Sequence, residues 1–216
     1  MPDLKSYYND YHQRRSTPQS PLPKPLTTPN KKKTQPSSRS QSPAVPASSN
    51  RCWDWIIVGG NCHYAKNRAS FRSYRRAPGK IGGNKVLGVG TVELQVRRRE
   101  PAGDERINTL ILQDVLHLPN ARCNGLSLEK YRRANPLSVV VETEKEHFQA
   151  TSDVDGEALW CADEYCGLSR VVLAGRPKGQ SYLRAGQVYT LSVIASEGEL
   201  ERLKRKVIEK DWTVHA

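Results

Sequence analysis

Residues 85–99, KVLGVGTVELQVRRR, and 107–118, INTLILQDVLHL, form the stretch whose reading decides the fold. From Thr91 the first segment alternates, with Val92, Leu94 and Val96 on one face and Glu93, Gln95 and Arg97 on the other. A period of two is the mark of a half-buried strand, because successive side chains leave the pleat on opposite sides. Gly88 and Gly90 just before it suggest a bulge or tight bend. Gly103-Asp104 is a turn candidate, and 107–118 reads as the returning strand, stopped by Pro119.

Working outward, Trp53-Asp54-Trp55-Ile56-Ile57-Val58 is a β-branched and aromatic run ended by Gly59-Gly60-Asn61, a strand entering a turn. Downstream, 137–142 and 147–151 make a further strand pair around the charged turn 143–146, and 158–161 and 170–173 are shorter candidates. Two helices are signalled. Ser127 caps a short one that ends before Pro136. Ser196 with Glu199 is a capping box, followed by Leu200, Leu203 and Val207 at i, i+3 and i+7, with Trp212 near the same stripe. These signals predict a mainly β fold: a small β-barrel over residues 51–195 with one short helix, and a C-terminal amphipathic helix over 196–216.

Charge divides the chain differently. Its 216 residues hold 34 Lys+Arg against 22 Asp+Glu, a net charge of +12. Residues 1–50 contain 8 basic and 2 acidic residues, so 8 − 2 = +6, and the other 166 residues contain 26 and 20, again +6. Nine of the 14 Pro and nine Ser also lie in the first 50 residues. Between 13 and 50 the bulky apolar residues are few beyond Leu22, Leu26 and Val45, too few to offset the entropy of ordering. The sequence therefore predicts a disordered, basic, Pro/Ser-rich arm over 1–50. Its densest charge, Lys31-Lys32-Lys33, reads as a nucleic-acid contact, a nuclear-import signal or a solvated linker. Tyr7, Tyr8 and Tyr11 are candidates for base stacking. The helix face formed by Glu201, Arg202, Lys204, Arg205, Lys206, Glu209 and Lys210 reads as solvated, with nucleic-acid contact over 200–210 as the alternative.

Several classes are excluded or disfavoured. There is no run of 18 apolar residues to span a bilayer, and the N-terminal MPDLKSYYNDYHQRR lacks the apolar stretch of a secretory signal, so an intracellular, reducing setting is expected. Five cysteines, at 52, 62, 123, 161 and 166, do not make a complete disulfide framework. Cys161-x4-Cys166 has no second pair and no suitably spaced His, since His117 and His147 are isolated, so no zinc set is assembled. Cys62-His63 invites a nucleophile–base reading, but neighbours on an extended segment point to opposite faces. The glycine-rich turn 79–85, GKIGGNK, lacks the spacing of a phosphate loop. No catalytic, metal, cofactor or small-molecule site is expected from motifs alone.

One resemblance organises these pieces. Residues 53–71, WDWIIVGGNCHYAKNRASF, resemble the opening of the protease-like β-barrel domain of Copia-type retrotransposon polyproteins, in which a Trp-containing strand leads into Asp-Ser/Thr-Gly and then a His and a Phe. Gly88-Val89-Gly90-Thr91-Val92-Glu93-Leu94 is similar to that family's G-x-G-T-V-x-L, residues 112–119, LQDVLHLP, to its L-x-D-V-L-H-V-P, and Asn124-Gly125-Leu126-Ser127 to its N-L-L-S. The similarity covers about residues 53–135 and is weaker through 175–193. It implies a retropepsin-like barrel, and a homodimer in which each chain supplies one aspartate. Two carboxylates sharing a proton are needed there, one to activate water and one to polarise the scissile carbonyl. The departure is decisive for chemistry. If Gly59 is the motif glycine the Asp position is Ile57, and if Gly60 is, it is Val58. No Asp-Ser-Gly or Asp-Thr-Gly occurs in the chain, and Asp155-Gly156 lacks the hydroxyl residue. Relative to such a polyprotein the chain is expected to be a fragment, without a zinc knuckle before the barrel or an integrase or reverse transcriptase after it. The expectation is a catalytically inactive fragment acting, if at all, as a binding or interaction module.

Overall fold

Ten strands form one mixed sheet in the computed structural model: β1 (Trp55–Val58), β2 (Tyr64–Ala65), β3 (Ser73–Ile81), β4 (Asn84–Arg97), β5 (Ile107–His117), β6 (Asn124–Ser127), β7 (Ser138–Thr143), β8 (His147–Ser152), β9 (Ala158–Tyr165) and β10 (Leu168–Val171). Two helices accompany them, α1 (Leu128–Ala134) and α2 (Glu197–Glu209). The structure describes residues 51–99, 106–143 and 147–209, all within a unit spanning Val45–Ala216. The arm of residues 1–50 with Lys31, Lys32 and Lys33, the turn Gly103-Asp104, most of the 143–146 turn, and Lys210 and Trp212 lie outside the described residues.

Strand order is β3-β4-β5-β2-β6-β1-β10-β9-β8-β7. The mainly β character expected from the alternation is present, but the pairing is that of an open sheet with β3 and β7 at its ends, and no closed barrel is shown. Both ends are blunted in ways that oppose further pairing. β3 carries Pro78 and a register shift between Arg76 and Gly79, and α2 lies against it, with Lys206 Nζ donating to the Pro78 carbonyl at 3.0 Å. On β7, the Val140 carbonyl is taken by Arg132 of α1 at 3.0 Å. The sheet nevertheless folds over on itself. The end of β4 bonds the segment after β10, with Arg97 N donating to Val172 O at 3.0 Å and Ala174 N to Gln95 O at 2.8 Å.

Two apolar clusters sit on the two sides of the central strands. One gathers Ile56, Val58, Tyr64, Ile81, Val86, Val89, Leu116 and Leu203. The other gathers Trp55, Phe71, Val92, Leu94, Val96, Leu112, Leu126, Tyr131 and Trp160. β1 therefore alternates between two cores, which explains why its sequence reads as a continuous apolar run rather than an apolar–polar alternation. The β4–β5 hairpin is seen as expected, with a register shift between Gly90 and Val92 where the glycines fall. Both helix caps also form. Ser127 Oγ accepts from Lys130 N at 3.1 Å, and Ser196 and Glu199 bond reciprocally, Glu199 Oε2 taking the Ser196 N–H at 2.8 Å. Three strands, β2, β3 and β6, have no counterpart in the sequence reading. β3 (SYRRAPGKI) hides behind Pro, Gly and charge because it is an edge, and β6 (NGLS) is buried at all four positions without any periodicity.

Candidate functional site

The turn after β1 is where the resemblance would put a catalytic aspartate, and the topology brings the other landmarks to it. β6 pairs with β1 in parallel, Ile57 opposite Leu126 and Val58 opposite Ser127. β2 lies between β6 and β5, and β4 pairs with β5. Segments separated by up to about seventy residues are thus neighbours in five consecutive strands.

At the two candidate positions the side chains are committed to packing. Val58 is buried in the first cluster, and Ile57, half-buried, packs against the second. The turn itself is held by residues 192–195, which cross it as a strap. Gly60 bridges Val193, and Asn61 N donates to Val193 O at 3.1 Å. The Asn61 side chain closes a two-way clasp on Ala195: Oδ1 accepts from its N–H and Nδ2 donates to its carbonyl, both at 2.8 Å. Gly60 has φ +79°, and a Cβ there would fall 2.3 Å from Val193 O, so both conformation and space require glycine.

Ser127 joins the turn to the elements beneath it. Its Oγ donates to Gly60 O at 2.7 Å and accepts from Lys130 N, while its N–H donates to His63 Nδ1 at 3.0 Å. His63 is buried, and that bond requires the Nδ1-unprotonated tautomer. Burial, reinforced by the Lys130 ammonium, holds His63 down at about 3 from an ordinary 6.5. A histidine of this kind stays neutral and structural at physiological pH. Cys62 points into the first cluster and burial pushes its thiol up, so Cys62 and His63 do not assemble a nucleophile–base pair.

Around the turn, buried polar groups hold the strands in register. Asn124 is fully buried and donates through Nδ2 to Asp54 O at 2.9 Å and Cys52 O at 3.2 Å, while its Oδ1 accepts from Lys66 N at 2.9 Å. Next to it Gly125 admits the Tyr64 ring, which a Cβ would meet at 2.2 Å, and the Tyr64 hydroxyl donates to Leu191 O, just before the strap, at 2.7 Å. Asp54, three residues before Ile57, is fully buried and pairs with Arg170 at 3.2 Å. The Arg170 guanidinium lies 4.5 Å from the centre of the Trp53 ring and 3.6 Å from that of Tyr165. Asp54 is therefore a structural carboxylate; sequence reasoning passed over it because its partner lies 116 residues away.

The remaining sequence candidates are scattered. Cys161 is buried and donates to Arg97 O at 3.6 Å, and Cys166 is half-buried in the β9–β10 turn. His117 contacts the Tyr74 hydroxyl through Nδ1 at 3.0 Å, and His147 lies 3.4 Å from Asp163. Among the described residues no group of three or more His, Cys, Asp or Glu is placed to hold a metal, and no helix is long and apolar enough to cross a membrane. Of the basic face on α2, Lys204 pairs with Glu201 and Lys206 is spent on Pro78. An open polar cleft of about 430 Å³ lies between Arg122, Tyr182 and Arg184. Comparison of this chain with protein families, with curated proteins and with solved structures finds no match.

Proposed function

We propose that this chain is a catalytically inactive, protease-like domain of the Copia retrotransposon kind, with a retropepsin-like sheet, that serves as a binding or interaction module. The observation that carries the reading is the state of the turn after β1. Its two candidate aspartate positions are aliphatic and packed, and its polar backbone is engaged by residues 192–195. Aspartic proteolysis needs a pair of carboxylates and a water between them. Ile57 and Val58 can neither exchange a proton nor hold that water. The adjacency of the four landmark segments in one stretch of sheet supports the family assignment behind this reading. A homodimer, the working state of the resembled enzymes, belongs to the proposal and is checked by sedimentation velocity.

The test is a cleavage assay on peptides spanning Copia-type polyprotein junctions, with purified full-length chain. No turnover is expected. Turnover abolished by a pepstatin-like inhibitor would overturn the proposal. Introducing Ile57→Asp or Val58→Asp is the complementary arm, and the strap over Gly60 and Asn61 is expected to keep either variant inert.

A further inference from the structure

The polar cleft of about 430 Å³ is lined by Arg122, Gln180, Ser181, Tyr182, Arg184 and Gln187. Two segments far apart in the chain make its walls: the loop between β5 and β6, which carries Arg122, and residues 180–187, beyond β10. Both walls are tied down. Gln180 N donates to Arg51 O at 2.8 Å, and the neighbouring Cys52 thiol donates to Arg122 O at 3.8 Å. Lys66 Nζ donates to Ala121 O at 2.7 Å and to Pro119 O at 3.2 Å, and it lies 5.1 Å from the centre of the Tyr182 ring, so one ammonium bridges the two walls. Leu183, buried in the first core cluster, anchors 180–187 to the sheet. The tip of that segment is closed by the Tyr189 hydroxyl, which accepts from Arg184 N at 2.8 Å and donates to Gln187 Oε1 at 2.7 Å. The walls are thus fixed before any ligand arrives, which lowers the entropic cost of binding one.

The lining contains no carboxylate. Nor do the stretches of chain that supply and flank it: residues 55–92, 115–128 and 165–196 hold neither Asp nor Glu. Asp54, the acidic residue closest to them in sequence on the Arg51 side, is fully buried and paired with Arg170. Other arginines of the domain are paired too, Arg72 with Glu93, Arg98 with Glu157 and Arg133 with Glu129. Among the described residues neither Arg122 nor Arg184 meets a carboxylate, and both are exposed. The cleft therefore carries two uncompensated guanidinium charges, with the Lys66 ammonium behind the Tyr182 ring.

The hydrogen-bonding groups on the lining narrow the ligand. Guanidinium groups only donate. Gln187 has its Oε1 taken by Tyr189 and keeps Nε2 to donate, and Ser181 Oγ accepts from Leu183 N at 3.3 Å and keeps its hydroxyl proton. Donors with two positive charges call for an acceptor-rich group of matching charge. A phosphomonoester carries about −1.5 to −2 at pH 7 on three terminal oxygens, and a guanidinium fork meets two of those oxygens at once. A carboxylate supplies half that charge. A nucleic-acid backbone carries one charge per diester and is tracked by cations spread along it, whereas these two arginines share one concave site.

We propose that this cleft binds the terminal phosphate of a phosphomonoester, held by Arg122 and Arg184 with Ser181 and Gln187 as further donors. The cleft shares no lining residue with the turn at Gly59–Asn61, so the proposal does not depend on that turn being inert. It is also distinct from Lys31–Lys33 and from the 200–210 helix.

The experiment is isothermal titration calorimetry of the full chain with adenosine monophosphate at about 100 mM salt. Binding is expected, with displacement by inorganic phosphate. Cyclic adenosine monophosphate has the same base and sugar but a diester phosphate, and is expected to bind about tenfold more weakly, because the dianion and a terminal oxygen are lost. Replacing Arg122 and Arg184 together by Gln is expected to weaken adenosine monophosphate binding by about tenfold or more. The melting temperature without ligand should stay unchanged, since neither exposed guanidinium holds the fold. Arg184→Gln alone, a milder change, is expected to lose affinity severalfold. A Lys31→Ala, Lys32→Ala, Lys33→Ala variant keeps full affinity, which assigns the binding to the cleft. Phosphatidylcholine vesicles carrying phosphatidic acid separate the sources of the group: co-sedimentation displaced by inorganic phosphate identifies a lipid headgroup, and its absence identifies a soluble ester. No binding of either the monophosphate or inorganic phosphate, equal affinity for the cyclic diester, or unchanged affinity in the double variant would each overturn the proposal.

Discussion

His63 ties the acid stability of the fold to the candidate site. In the folded chain its Nδ1 accepts the Ser127 N–H and the ring is buried, so protonation must break that bond and place a charge in the core. The unfolded chain takes up this proton near the ordinary value of 6.5, the folded chain only near 3. Between those values the unfolded state binds more protons, so stability is full above pH 6.5 and falls as the pH drops towards 3. Linkage with these two values gives a loss of about 0.2 kcal/mol at pH 7 and about 2 kcal/mol at pH 5. His63→Asn removes the titration while its amide oxygen still faces the Ser127 N–H. The variant is expected to be less stable at neutral pH, because it fills less of the site, and to lose about 2 kcal/mol less between pH 7 and pH 5 than the native chain. Urea unfolding followed by fluorescence of the buried Trp55 and Trp160 measures both curves. Burial lowers His117 too, so the variant keeps part of the pH dependence. If native and variant chains lose stability equally over that range, His63 is not held neutral and the tautomer argument fails.

Three further perturbations probe the same framework. Arg170→Met leaves Asp54 buried without its cation and is expected to lower unfolding stability by about 3–5 kcal/mol in denaturant titrations; a change under about 1 kcal/mol would mean that the carboxylate is solvated in solution. Asn124→Ala orphans Lys66 N and Cys52 O and should cost about 2–4 kcal/mol, with faster amide exchange at Lys66 as a local readout. Gly60→Ala combines a left-handed φ with a collision at the Val193 carbonyl. It is expected to loosen the strap, seen as faster exchange at the Asn61 and Ala195 amides, and to cost at least about 1–2 kcal/mol. Unchanged exchange at both amides would mean the strap does not rest on the turn.

Most of the chain's local structure is legible in the sequence, and its closure is not. The alternation from Thr91, the stop at Pro119 and the Ser127 and Ser196 caps depend on neighbours a few residues away, and each appears where the pattern placed it. β3 and β6 are silent because edge position and complete burial both erase a period of two. The expected closed barrel is not shown: the pairing is that of an open sheet, and the contacts at its two ends, Lys206 of α2 on the Pro78 carbonyl and Arg132 on the Val140 carbonyl, join residues that no local pattern links.

The candidate site divides in the same way. That Ile57 and Val58 cannot act as acids is a property of residue type alone, and so is the lack of any carboxylate in residues 165–196. Which core each aliphatic side chain enters, and that residues 192–195 clasp the turn beside them, required the fold. Likewise the sequence supplies the arginines at 122 and 184, but only the fold sets them on one cleft. Charge and chemical capacity reside in single side chains, so a sequence can be read for them directly. Juxtaposition depends on contacts between residues far apart in the chain, such as Asp54 with Arg170 or Asn61 with Ala195, and those exist only once burial has brought the segments together.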